Sequence, residues 1–493
     1  MLFHDVDEDA LVQILGFCDV YAILSFLRVN RSFRRLALSK QLWLSLVCDL
    51  SSRYFIPHSN TLHDCTTAQL IAKVKSLVCG PETWSPHSSI PPTLSFSKKF
   101  PAARHAQLLQ GGRYVVMQLF SGELQCHDVL TGNCVWTRDG VDRFCASWDA
   151  HMLEDGHTAM FLFCINWQRL ELSLVQVDFK TRHTDELFCF ESNPSIGDCY
   201  RPTLSADFLA MALRNGNQRV IVVIDWRKCE YVLFDDSGYS DRSAKTRIAF
   251  VPGHIILASV ASEPPNDQLI LVYTLRSIMS HWRPLEELQH GTTFPAYNTC
   301  IRPEVISPFI VERLEHHNRV FRASSTIRGD TYTRLMLYTN PIRHGAYKLM
   351  VYASDTSQSS VANTFWDSFG GRGSGRAQGA VVFTYALNAG ASGLAWTRVS
   401  AFATVPDHLN FPLSYAGYGL LSCGDPLDIT TKIVDLRPTY ARRLWTRRAA
   451  QAMRDVVGGL ERADIPKPIV YWGRADFETG RNSCFLLALI VIR

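Results

Sequence analysis

Near Leu94 the hydrophobic period of this chain changes from helical to alternating, so no single secondary-structure class fits both parts. Beyond that point Tyr114 to Phe120, Glu123 to Val129, Arg169 to Asp178, Arg219 to Trp226, Gln268 to Tyr273, Tyr347 to Tyr352, Ala380 to Leu387 and Lys432 to Leu436 read as strands rich in Val, Ile, Leu and Tyr. Turn residues bound many of them, including Ser121-Gly122, Thr131-Gly132, Arg214 to Asn217 and Asp235 to Gly238. The exits of similar strands at Asp128, Asp178, Asp225 and Tyr273 lie 50, 47 and 48 residues apart. A four-stranded propeller blade takes about 40 to 50 residues, and several blades are needed to bury a continuous core. The expected fold class is therefore α+β multidomain: a small all-α module, then a large all-β domain over 93–493 that reads as a β-propeller of about six to eight blades.

The pattern is irregular. The register is lost between Tyr273 and Tyr385, and the Ser-, Thr-, Gln- and Gly-rich stretch 354–379 reads as a flexible insertion. Gly156-His157, Gly253-His254, Trp148-Asp149 and Trp366-Asp367 resemble WD40 dipeptides, but none stands in the usual order within one repeat. A β-sandwich pair or an irregular all-β domain would alternate similarly. In a propeller, the apolar segment Cys484 to Arg493 would close the ring near Leu94 to Phe100.

The N-terminal part carries two apolar stripes, Leu11, Ile14, Leu15, Cys18 and then Val20, Ile23, Leu24, Leu27, each stepping i, i+3, i+4, i+7. Ala10, Val12, Phe17, Tyr21, Ala22 and Phe26 add apolar surface off those stripes. A segment of about 50 residues cannot hide so much alone, so one internal and one external interface are expected. Asp7, Glu8 and Asp9 suit a helix start, and Asp19, Asn30 and Ser39 precede the next helices. Residues 51–92 contain a further predicted helix, Thr67 to Val78, and a stiff joint at Gly80-Pro81, Pro86 and Pro91-Pro92.

The segment 1–50 resembles an F-box. The family's opening pair, acidic residue, paired apolar residues, central valine, aromatic, leucine-alanine and leucine-tryptophan fall without a gap on Val6-Asp7, Asp9, Ile14-Leu15, Val29, Phe33, Leu36-Ala37 and Leu42-Trp43. Val6-Asp7 replaces the family's leucine-proline, which weakens one contact with the adaptor. The resemblance implies binding of Skp1, and through it of a cullin and a RING subunit that transfers ubiquitin. The residues it assigns to the Skp1 face and its support are Leu11, Ile14, Leu15, Ile23, Leu24, Leu27, Val29, Phe33, Leu36 and Trp43. On this view the chain is a non-catalytic substrate receptor of an SCF ubiquitin ligase, cytoplasmic or nuclear, whose β domain binds a protein substrate. The alternatives are a Skp1-binding scaffold outside a cullin complex and a propeller enzyme.

Composition narrows the remaining classes. A net charge of +4 on 493 residues gives no reason to expect a nucleic-acid partner, and the longest apolar run, Phe485 to Ile492, is far shorter than the roughly 20 residues of a membrane helix. No secretory signal is read behind the acidic start Asp5 to Asp9. The 14 cysteines include no C-x-x-C pair and suit buried free thiols. No zinc, P-loop or nucleophile-elbow pattern occurs, and no cofactor is expected. The run Gly370 to Gly375 reads as a loop, and Arg442, Arg443, Arg447 and Arg448 read as a solvated helix face or an acidic docking patch. His316-His317 reads as a surface pair whose rings point to opposite faces of a strand.

Overall fold

Short acceptor side chains cap three of the helix starts in the N-terminal part, whereas Asp7 before the first helix makes no side-chain cap bond and the Ser39 hydroxyl before the fourth accepts none. In the computed structural model α1 (Glu8–Gly16) carries Glu8 and Asp9 in its first turn, where the free amides favour anions. Before α2 (Val20–Phe26) the Asp19 carboxylate accepts from the Ala22 amide at 2.7 Å. Before α3 (Arg31–Ala37) the Asn30 side-chain Oδ1 accepts from the Phe33 amide at 2.8 Å. After α4 (Lys40–Ser52), helix α5 (Thr67–Cys79) opens on a reciprocal box: Gln69 N–H donates to Thr66 Oγ1 at 3.3 Å and Thr66 N–H to Gln69 Oε1 at 2.7 Å. The structure describes residues 7–52, 55–56, 62–79, 98–139 and 146–322 with interruptions in their loops, then 332–354, 381–390, 393–403, 418–423, 430–435 and 486–487. The joint 80–92, the insertion beyond Ser354, Gly370 to Gly375 and the arginines at 442–448 lie outside the described residues.

The five helices share one core of Leu15, Val20, Ile23, Ala37, Leu42, Trp43, Leu46, Val47 and Leu50, closed by Leu70 and Val74 of α5. Trp43 is fully buried, and its indole N–H donates to the Ala37 carbonyl at 2.7 Å, so burial leaves no orphaned donor.

From Lys98 the described elements are mostly β-strands. A short strand β1 (Lys98–Lys99) precedes a first antiparallel sheet of β2 (Ala103–Leu108), β3 (Tyr114–Leu119), β4 (Leu124–Asp128) and β5 (Cys134–Arg138). The second sheet comprises β6 (Ala146–Met152), β7 (Thr158–Asn166), β8 (Leu170–Asp178) and β9 (His183–Glu191). The third has β10 (Asp198–Leu204), β11 (Phe208–Asn215), β12 (Gln218–Asp225) and β13 (Glu230–Asp235), and the fourth begins with β14 (Ile248–Val251), β15 (His254–Val260) and β16 (Gln268–Thr274). The chain then leaves the fourth sheet, adds β17 (Arg283–Pro284) to the edge of the third, forms α6 (Glu286–His290), and returns as β18 (Ile310–Arg313) to complete the fourth. A small hairpin, β19 (Glu315–His316) and β20 (Arg319–Val320), leads to the fifth sheet of β21 (Tyr332–Thr339), β22 (Ala346–Ser354), β23 (Val381–Gly390) and β24 (Gly393–Ala403). Last come a pair, β25 (Tyr418–Cys423) with β26 (Thr430–Asp435), and β27 (Leu486–Leu487), which pairs antiparallel with β1.

Successive sheets stack face to face, which explains the near-continuous apolar runs. Adjacent residues of a strand point to opposite faces, so Phe161 joins Tyr114, Val116 and Trp136 of the first sheet while Leu162 joins Leu209, Met211 and Val222 of the third. Val223 likewise faces Ile255 and Tyr273 of the fourth sheet, and Ile256 faces Val351 and Phe383 of the fifth. Burying one such side chain is worth about 1.5 to 3 kcal/mol. Trp148 sits in the first of these interfaces, whereas Asp149 staples three sheets. Its carboxylate accepts from Leu204 N–H of β10 at 2.8 Å, from its neighbour Ala150 N–H at 2.9 Å and from Gln107 Nε2 of β2 at 3.4 Å. Burial pushes this carboxyl above its ordinary range, and those three donors oppose the rise.

The strand exits that set the sequence interval are all the ends of third strands. After β4, β8 and β12 the turns repeat one chemistry: Asp128, Asp178 and Asp225 accept from the amides of Thr131, Lys180 and Lys228 at 3.1, 2.7 and 3.1 Å. Thr274 plays that part after β16, its Oγ1 accepting from Ser277 N–H at 3.0 Å. The 48-residue interval is thus a repeat of four-stranded sheets.

Partial desolvation of one lysine makes stability depend on pH. Desolvation holds the Lys348 ammonium of β22 down to about 8 from 10.5. Between those values the unfolded chain binds a proton that the folded chain does not, so this residue's contribution to stability rises with pH from about 8 to 10.5. Tyr273, Tyr338 and Cys126, which burial pushes up, pull the opposite way above pH 9. The comparison that isolates the lysine is wild type against Lys348→Met: urea midpoints at pH 7.5 and 10 should show the variant's advantage shrinking at the higher pH.

Candidate partner-binding face of the helical module

The ten residues assigned to the Skp1 face and its support divide between the inside and the outside of the module. Leu11, Leu15, Ile23, Leu36 and Trp43 are buried. Ile14, Leu24 and Val29 are 56%, 38% and 61% exposed. Leu27 and Phe33 are half-buried, and the Phe33 ring lies against Phe26 with centroids 4.4 Å apart. The outer set also contains three residues outside those ten: Phe17, Tyr21 and Leu38, with Phe17 92% exposed at the C-terminal end of α1. Their signal was present as apolar residues off the two stripes in Phe17 and Tyr21, while Leu38 carried none. An apolar set on so small a module, left over after its core is complete, is the kind of surface that marks an interface.

Charge around this set is one-sided. From Val20 to Cys48 the chain has four arginines and one lysine and no acidic residue. Arg35 pairs with Glu8, and Lys40 donates to the His63 carbonyl at 2.8 Å. Arg28, Arg31 and Arg34 are exposed and form no ion pair among the described residues. Together with Leu24, Val29 and Leu38 they combine apolar contact residues with a cationic margin, the anatomy of a protein interface.

Of the outer set, Tyr21 is taken up by the β domain. Tyr21 N–H donates to the Ile342 carbonyl at 2.8 Å, His344 N–H donates to Asp19 Oδ2 at 3.1 Å, and Arg343 lies over the Tyr21 ring at 4.8 Å. The Ile342 side chain packs against the helical core. Beside this junction a cleft of about 470 Å³ is lined by Arg343, His344, Asn388 and the turn Gly390, Gly393 and Leu394. Ionisable groups elsewhere do not gather into a metal site: among the described residues no group of three His, Cys, Asp or Glu converges. The expected opposition of His316 and His317 is corrected. His317 has φ +48°, so it belongs to the turn rather than the strand, and the two rings lie on the same side with centroids 4.3 Å apart.

No protein-family model matches the chain, and no curated protein matches it. The F-box resemblance therefore rests on the spacing of the residues named above. Among solved structures the chain is similar to the β-propeller domain of Cps50 (Swd1) from Myceliophteria thermophila, with 11% identity and a TM-score of 0.35 over 66% of this chain and 81% of that one. It is similar also to a chain of a mitotic checkpoint complex, with 11% identity and a TM-score of 0.32 over 67% of this chain and 75% of that one.

Proposed function

We propose that this protein is a substrate receptor: its helical module binds Skp1 within a cullin-RING ubiquitin ligase, and its β domain holds a protein substrate. The observation that carries the reading is the exposure of Ile14, Phe17, Leu24 and Val29 on a module whose core is already filled. The β domain is taken to be a closed propeller. Five stacked sheets, a further strand pair and the pairing of β1 with β27 support that reading, since the last strand reaches the place where the ring would join. The chain itself performs no chemistry. It raises the effective concentration of substrate lysines near the ubiquitin-charged enzyme, in the cytoplasm or nucleus.

The experiment is affinity purification of the full chain with mass spectrometry of what accompanies it. Skp1 and a cullin together support the receptor. Skp1 without a cullin supports a scaffold, and neither sinks the proposal. Charge reversal gives a finer test, because rim charges act mainly on encounter rate. Arg28→Glu, Arg31→Glu and Arg34→Glu combined should slow association with Skp1 by about tenfold at low salt. Stopped-flow kinetics should show the difference collapsing at about 1 M salt, where screening is short-ranged.

A further inference from the structure

The turn Asn340 to Gly345, which joins β21 to β22, is braced by hydrogen bonds within the β domain. Ile342 N–H donates to Asn340 Oδ1 at 3.0 Å, and Asn340 N–H donates to the Ala346 carbonyl at 2.9 Å. Gly345 has φ +65° and its carbonyl accepts from Ala389 N–H at 2.7 Å; a Cβ there would lie 2.8 Å from the Ala389 carbonyl oxygen. On the other side, the Asp19 carboxylate divides its two oxygens. Oδ1 accepts from Ala22 N–H within the module, and Oδ2 accepts from His344 N–H of the β domain. The Tyr21 amide, which has no acceptor inside its own helix, finds one in the Ile342 carbonyl. Ile342 adds its side chain to the helical core, and Arg343 covers the Tyr21 ring.

We infer that this turn is a lock that fixes the helical module to the β domain in one orientation, with Asp19 as the residue shared by both sides. Asp19 and His344, 325 residues apart in sequence, are joined by one hydrogen bond, and a second hydrogen bond, one ring contact and one half-buried side chain add to it. The exposed residues of α2 then keep a constant direction relative to the loops of the β domain, whatever partner each side binds. This inference does not depend on the identity of the adaptor.

Amide hydrogen exchange on the full chain tests it, with three variants. Asp19→Asn keeps a side-chain oxygen for Ala22, because Asn and Asp are equal as helix caps. It places an NH₂ group opposite the His344 N–H, so only the contact across the domains is lost. Exchange at His344 and Tyr21 should rise about tenfold in Asp19→Asn and in Ile342→Ala, the loss expected for one hydrogen bond or a packed side chain. Asp19→Ala should do at least as much, and strands β22 and β23 should keep wild-type exchange in all three. In calorimetry of Ile342→Ala the module should melt as a separate, earlier transition. Wild-type exchange at His344 and Tyr21 in Asp19→Asn, with acceleration confined to Asp19→Ala, would reduce the carboxylate to a local cap and overturn the lock. Unchanged exchange in all three variants would overturn it equally.

Discussion

Trp43→Ala is expected to melt the helical module and leave the sheets of the β domain folded. The indole is fully buried at the centre of a core drawn from all five helices, and it supplies the hydrogen-bond donor for the Ala37 carbonyl. Truncating a buried Trp to Ala costs about 3 to 5 kcal/mol, and an orphaned buried acceptor adds about 1 to 3. A small helical unit has little stability to lose, since whole domains hold about 5 to 15 kcal/mol. Hydrogen exchange should show α1 to α4 losing protection while β7, β12 and β22 retain it. Wild-type protection of the helices would mean that Trp43 is not the centre of their packing.

Much of the β domain was legible because its repeat is written in turn chemistry as well as in apolar runs. Asp128, Asp178 and Asp225 each close the turn after a third strand, so an interval read from strand exits was an interval between equivalent places. Where the interval failed, the structure gives a reason. Between Thr274 and Ile310 the chain leaves the fourth sheet to pair β17 with the third and to form α6 before returning. Periodicity measures distance along the chain and cannot distinguish such an excursion from an extra blade. Strands β7, β12 and β15 are buried on both faces, so their continuous apolar runs carry no alternation from which a face could be chosen.

The helical module was legible as helices and caps, with Asp19 and Asn30 capping as their residue types suggest. Which side faces inward was not. Ile14 and Leu15, or Ile23 and Leu24, are neighbours of equal hydrophobicity, and one of each pair is buried while the other is exposed. The choice is made by what packs from elsewhere: Leu70 and Val74 of α5, and Ile342 from the turn between β21 and β22. No local pattern in residues 1–50 encodes a contact with residue 342. His316-His317 failed for the opposite reason, because a strand was assumed where a left-handed residue makes a turn.

That inward and outward division separates stability from binding and gives the test with the largest effect on function. Phe17→Asp removes a ring that is 92% exposed, so stability should move by no more than about 0.5 kcal/mol. Leu24→Asp, at 38% exposure, should cost somewhat more while the core of Ile23 and Trp43 stays intact. If these residues sit at the centre of the adaptor interface, each substitution places a carboxylate where an apolar group was to be desolvated. Losses at such central positions reach about 2 kcal/mol or more, which is roughly a thirtyfold weaker complex. The double variant should therefore fail to co-purify with Skp1 although its melting curve and β-sheet circular dichroism match the wild type closely. Ile23→Asp provides the contrast, since a charge in the core should abolish binding by unfolding the module. Full retention of Skp1 by the folded double variant would move the interface off this face and remove the basis for a ubiquitin-ligase role.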